Sequence, residues 1–282
     1  MEHPFSSTAE LWLGKDSFFI KYFHDLPRFT AGNSDISPAY KRDRVSVSSW
    51  AYNVFQDHSP TRKYFPELIA ALPRERILIT KSIPQPNATL ETVFTNRSFT
   101  RNHLLRLKSL TECFSKTPTR VSRIPAFLNN NAVLALKLNL QFQKPLALLL
   151  SPREAHLATQ QLRKHLNYPS LGDLQPKNIL ISKNSLYLID FEEAFVGPLG
   201  WDIGFLWGNI LYSAACQKTL LAHLTDAWQR LAWKLPDPMR RNAFTISSAA
   251  IAMRLFLFPT MKLTAAQQEK LKLIARRIFN YA

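Results

Sequence analysis

Hydrophobic positions change period along the chain, and the changes divide it into strands followed by helices. "AELWLG" (9–14) and "SFFIKYF" (17–23) are short β-rich runs with Gly14, Lys15 and Asp16 between them, which predicts a hairpin. "RILITKSIP" predicts another strand that stops at Pro84. "NILI" (178–181) and "LYLID" (186–190) are apolar runs separated by the turn-forming "SKNS", a second hairpin. Helical spacing governs the rest. Ser151, Pro152 and Glu154 form an N-terminal signature for a helix reaching about Leu166, with Ala155, Ala158, Leu162 and Leu166 on one face. "WDIGFLWGNILYSAA" predicts a buried helix, and further helices are expected over 218–235, over 237–258 with Asp237 as cap, and from a Thr264–Gln267 capping box onward. The pattern is α+β: a small β-rich part over 1–84 and a larger, mainly helical part over 85–282.

The second hairpin carries the chemistry. Asp173 and Asn178 precede its outgoing strand, while Asp190 and Glu192 follow the returning one, so four oxygen-bearing side chains are expected in one small volume. A hydroxyl attacking a phosphate needs a carboxylate to orient it and take its proton, a role that suits Asp173. A hard cation such as Mg²⁺ wants carboxylate and amide oxygens, which Asp190, Asn178 and Glu192 offer. Five of the seven glycines (Gly172, Gly197, Gly200, Gly204, Gly208) fall in this segment, where turns and close helix contact would need them.

"GDLQPKN" followed by "LIDFE" resembles the catalytic and metal-binding loops of the aminoglycoside phosphotransferase, choline kinase and methylthioribose kinase superfamily, with "EEAFVGPLGWDIG" most similar to methylthioribose kinases. The resemblance is dense from Gly172 to Asn209 and faint elsewhere. It implies a two-lobed protein-kinase-like fold, with a nucleotide-binding lobe over 1–84 and a catalytic and substrate-binding lobe over 85–282. It implies ATP and Mg²⁺, with Asp173 as catalytic base, Asn178, Asp190 and Glu192 as metal ligands, and Asp202 bracing the catalytic loop. By the same resemblance Lys21 is the phosphate-binding lysine, backbone groups near Ile79 to Lys81 hold the adenine, and Ser6 and Ser7 stand where a phosphate cradle is expected.

The chain also departs from the family. No glycine-rich loop is visible around Ser6, Ser7 and Thr8, and the family's first strand is expected to be short or missing, as if the N-terminus were trimmed. Residues 44–56, "RVSVSSWAYNVFQ", occupy the place of the helix that normally supplies a Glu to the lysine, and contain none. Lys21 must then be held by packing among Phe18 to Phe23 or by an acid from outside that segment. Leu171 replaces the motif's usual His.

Composition narrows the function. With 282 residues and 46% hydrophobic content the chain can bury a large core. The apolar runs over 130–151 and 243–258 are interrupted by Lys137, Lys144 and Arg254 and are expected inside the fold, not across a membrane. A basic, apolar leader is absent, and two cysteines, Cys113 and Cys216, make no disulfide framework and are expected to be buried; both point to the cytoplasm. The net charge is +16, dispersed without a nucleic-acid module, so specific nucleic-acid binding is not expected. Beyond Asp202 only Asp226, Asp237 and Glu269 stand against 11 Lys and Arg. A pocket for a polycation would want clustered carboxylates. A neutral or anionic sugar-like hydroxyl compound fits better, with Trp201 and Arg254 as candidate contacts. The expected activity is transfer of the γ-phosphate to such a small molecule; the alternative is a catalytically silent kinase-like binding or regulatory protein.

Overall fold

The computed structural model describes residues 6–24, 42–57, 59–84, 87–116, 120–183 and 185–282. A four-stranded antiparallel sheet, in the order β1-β2-β4-β3, forms the smaller lobe from β1 (Ser6–Leu13), β2 (Asp16–Phe23), β3 (Leu68–Leu72) and β4 (Ile77–Lys81). β1 pairs with β2 along its whole length, Ser6 opposite Phe23 and Thr8 opposite Lys21. Ser6 to Thr8 are therefore strand and not loop, and the turn lies at Gly14, whose φ of 64° suits glycine. Helix α1 (Arg44–Gln56) packs on this sheet, capped by the Asp43 carboxylate, which accepts from the Val45 and Ser46 amides.

The second hairpin forms as expected from β7 (Ile179–Ser182) and β8 (Ser185–Leu188), joined at one edge by β5 (Asn87–Thr89). β6 (Tyr168–Ser170) pairs with β9 (Phe195–Gly197), so the segments entering and leaving the hairpin are stitched together. The larger lobe is helical. α2 (Arg101–Lys116), α3 (Pro152–Arg163), α4 (Trp201–Ser213), α5 (Lys218–Ala232), α6 (Asp237–Phe256) and α7 (Ala265–Phe279) surround the core. The Ser151 hydroxyl caps α3, and Thr264 and Gln267 complete the capping box of α7. Asp237 is not a cap: it lies in the first turn of α6, where its carboxylate pairs with Arg240 and with Arg241 at 2.7 Å.

The apolar run over 130–151 is helical up to Leu149, with a π-helical stretch over Lys137–Gln143 in its middle. α4 and α6 cross closely at the centre: every residue from Trp201 to Tyr212 is buried. Cys113 is half-buried and Cys216 is exposed, against the expectation that both would be buried. Among the described residues no helix is long and apolar enough to cross a membrane.

Candidate active site

The approach to the hairpin is fixed first. Gly172 adopts φ 79°, and a Cβ there would stand 2.1 Å from the Glu193 carbonyl oxygen, so only glycine lets the two loops touch. Asp202, in the first turn of α4, holds this backbone. Its carboxylate accepts from Ser170 Oγ at 2.7 Å, Leu171 N at 2.9 Å and Gly172 N at 3.2 Å. Burial pushes the Asp202 carboxyl up to about 6 despite those three donors. Lys137, from the π-helical stretch, binds the opposite side: its ammonium donates to Gly172 O at 2.9 Å and to Glu193 Oε2 at 2.7 Å. Burial opposes the Glu193 charge, but Lys137 outweighs it and holds that carboxyl below its usual range. Leu171 is 2% exposed, so the side chain replacing the motif His is part of the core.

Asp173 then projects from a rigid turn. Gln175 Nε2 donates to both carboxylate oxygens at 2.6 Å, and Asn178 Nδ2 donates to Asp173 Oδ2 at 3.0 Å and to its carbonyl at 2.8 Å. Burial, with Glu193 nearby, raises the Asp173 carboxyl to about 6, against the pull of Lys177 and Lys137. Gln175 is itself held, because its Oε1 accepts from Arg254, whose Nε also donates to Asn209 Oδ1 at 2.8 Å.

Asp190 and Glu192 form a separate group around Lys21. The ammonium lies 2.5 Å from Asp190 Oδ1 and 3.6 Å from Glu192 Oε2. Burial disfavours the Lys21 charge, but the two carboxylates overcome it and leave the pKa raised. The lysine's partners thus come from outside α1, and α1 contributes the opposite charge: Arg44 stands 3.7 Å from Glu192 Oε2. Asn178 commits its nitrogen to Asp173, and no group of three or more His, Cys, Asp or Glu suited to a metal occurs among the described residues. Mg²⁺ needs fewer protein ligands, binding through one or two carboxylates plus substrate phosphates. The residues fit that need: Glu192 Oε2 is buried with no hydrogen-bond donor, and Asp190 is next to it.

Two cavities flank these groups. The first, about 310 Å³, is lined by Thr8, Lys21, Leu78, Thr80, Lys81 and Asp190, among others, and by Ser82, whose buried hydroxyl has no partner. Ser6 and Ser7 are not among the residues that line it; Thr8 to Glu10, next along β1, line it instead. Ile79, expected to offer backbone groups to the adenine, is paired inside the sheet with Ile20 on one side and Ala70 on the other and is not among the lining residues, whereas Leu78, Thr80 and Lys81 are. The Lys81 amide is taken by Glu67 O at 2.8 Å, so Ser82 is the hinge residue with an unused polar atom.

The second cavity, about 320 Å³, holds Asp173, Gln175, Glu192 and Glu193 beside Arg42, Arg44, Lys137, Lys177 and Arg254. Trp201, expected as a substrate contact, is 1% exposed, with its ring 5.4 Å from Phe195 and 6.1 Å from Phe205; it is a core side chain. Trp207 and Trp228 are equally buried and do not line either cavity. Arg42, Arg44 and Lys137 lie outside the hairpin motifs, and Gln175 and Glu193, although inside them, are not singled out by the sequence for this site.

A family model described as "Phosphotransferase enzyme family" matches residues 125–240, a span that includes the catalytic hairpin. Methylthioribose kinase from Geobacillus sp. (strain WCH70) is 34% identical over 76 residues, covering 25% of this chain and 19% of that protein. Methylthioribose kinase 2 from Oryza sativa subsp. japonica is 38% identical over 63 residues, 22% of this chain and 14% of the relative. The matched stretch thus spans less than a fifth of these relatives' length. Among solved structures, aminoglycoside phosphotransferase APH(4)-Ia superposes with TM-score 0.52 at 12% identity, over 99% of this chain and 91% of its own. A choline/ethanolamine kinase family protein from Mesorhizobium loti does so with TM-score 0.51 at 13% identity, over 96% and 87%. At these identities the superpositions establish the protein-kinase-like fold.

Proposed function

We propose that this chain, which belongs to the aminoglycoside phosphotransferase, choline kinase and methylthioribose kinase superfamily, is a kinase that moves the γ-phosphate of ATP to a hydroxyl of a small, sugar-like molecule. In this reading residues 1–84 bind the nucleotide, residues 85–282 supply catalysis and the acceptor site, and the enzyme draws on cytoplasmic ATP. One observation carries the proposal. Asp173 lines one cavity and Lys21 with Asp190 the other, and Glu192 joins the two through its 3.6 Å contact with Lys21.

Asp173 would accept the acceptor's hydroxyl proton at a carboxylate oxygen, and the Gln175 and Asn178 amides restrict how that carboxylate can turn. Lys21 is placed to meet phosphate oxygens. Asp190 and Glu192, with Asn178 Oδ1, would hold Mg²⁺, which neutralises phosphate charge. Ser82 Oγ offers a hydrogen bond to a base. A screen of radiolabelled γ-phosphate transfer against hydroxyl compounds tests the proposal, with turnover in wild type and none in Asp173→Asn as the expected result.

A silent binding protein is the competing reading. The observation favouring it is that Lys21 is already tied to Asp190 while α1 presents Arg44 in place of an acid. Lys21→Met separates the two: in an active kinase it raises KM for ATP and lowers kcat together.

A further inference from the structure

The charges lining the acceptor cavity do not balance, and the imbalance falls on one side chain. Five cationic and three carboxylate side chains line it. Each carboxylate has a cationic neighbour: Glu193 has Lys137 at 2.7 Å, Asp173 has Lys177 at 3.7 Å, and Glu192 has Arg44 at 3.7 Å. Arg42 is occupied by the backbone, donating to the carbonyls of Ala194 at 2.7 Å and Glu192 at 2.9 Å. Arg254 differs from the buried Arg42 in being only half-buried. Its partners are Asn209 Oδ1, Phe258 O and Gln175 Oε1, all neutral, and among the described residues no carboxylate stands within ion-pair distance of it. A half-buried guanidinium without a counter-ion is costly, and burial lowers its pKa, with the more distant Asp173 carboxylate opposing that effect. An anion arriving beside it would remove the cost and would be held by charge-assisted, bidentate hydrogen bonds. Leu136, Leu140, Met253 and Phe258 add apolar lining to the same cavity.

We infer that the acceptor is an acid: a hydroxyl compound with a carboxylate or phosphate group bound by Arg254 and an apolar flank against Leu136, Leu140 and Met253. The inference takes from the kinase reading only that this cavity holds the acceptor. A polycationic acceptor is disfavoured, because it would enter against the cationic surplus.

The test is calorimetric binding to the full, nucleotide-free chain of matched sets: aldonic and uronic acids, sugar phosphates, and their neutral parent sugars. Wild type is expected to bind at least one acid class at least tenfold more tightly than its neutral parent, and the two acid sets identify carboxylate or phosphate as the group. Arg254→Gln should weaken acid binding by about 10- to 100-fold and leave the neutral parents within about threefold. Arg254→Lys, which keeps the charge, should retain part of the preference and guards against a folding defect in the first variant. Equal binding of acids and neutral parents overturns the inference, as does loss of acid binding in Lys21→Met but not in Arg254→Gln, which would put the anion on the nucleotide side. Because no nucleotide is present, failure of MgATP turnover would sink the kinase reading without touching this result.

Discussion

On the proposed reading Asp173 is the residue on which the chemistry turns, and its surroundings set what should happen when it changes. Asn at this position keeps the size of the side chain and removes the proton acceptor. Asp173→Asn is expected to lower kcat by about 10² to 10⁴ or more while MgATP affinity, read by calorimetry, stays near wild type. Near-normal kcat would remove Asp173 from the mechanism. Its raised pKa of about 6 sets a pH limit as well. Below that value the carboxyl holds a proton and cannot accept another, so kcat should fall about tenfold per pH unit below pH 6. Stability moves in the opposite direction. The folded pKa of about 6 lies above the unfolded value of ~3.9, so the folded state binds more protons in that window, and this group's contribution declines as pH rises through it and is flat above. Asp173, Asn178, Asp190 and Glu192 were legible in the sequence because they sit at fixed spacing around one hairpin. Arg254 was legible as a candidate contact, whereas Arg44 and Lys137 reach the same place from two distant elements with no local pattern to mark them.

At the scale of elements, the hairpin and α1 divide the work differently from what the sequence suggests. The sequence shows that residues 44–56 lack a Glu, and the helix there brings Arg44 to Glu192 instead. The hairpin's own acids therefore hold Lys21, which gives Asp190 two tasks: pairing with Lys21 and, on the present reading, binding metal. Asp190→Ala should weaken Mg²⁺-dependent nucleotide binding as well as turnover, measured by calorimetry with and without Mg²⁺. Equal MgATP affinity in variant and wild type would give Asp190 a structural role only. The crossing of α4 and α6 positions Asp202 and depends on small residues. A Cβ on Gly208 would stand 2.5 Å from Ser247 O, a backbone atom that cannot step aside. Gly208→Val should destabilise by about 1–3 kcal/mol or more, seen as a lower Tm, and any loss of activity should follow from that. The heavy burial of α4 was legible from its unbroken apolar run. The π-helical turn that delivers Lys137 was not, because a change in hydrogen-bond register leaves no residue pattern to read.

Across the whole molecule, two cavities of similar size meet at Glu192, one reached by Lys21 and the other by Asp173. The two-lobed plan was readable because the change from strand to helix periodicity coincides with the motif order. The burial of Trp201 was not, because it depends on which way a side chain faces once helices pack, and the places of Ser6, Ser7 and Ile79 depend on the register in which the strands pair. The surplus of basic residues in the last third of the chain is partly explained: Arg254 lines the cavity that holds Asp173, while Arg230, Arg240 and Arg241 pair with Asp226 and Asp237 on helix surfaces. The decisive measurement is γ-phosphate transfer from MgATP to a panel of hydroxyl compounds that includes sugar acids and sugar phosphates, run with wild type, Asp173→Asn and Lys21→Met. Transfer by wild type, its loss in Asp173→Asn with MgATP still bound, and a raised KM for ATP in Lys21→Met are the predicted results. No MgATP binding by wild type at millimolar concentration, with Lys21→Met indistinguishable from it, would contradict the phosphotransferase reading and leave a silent kinase-like scaffold.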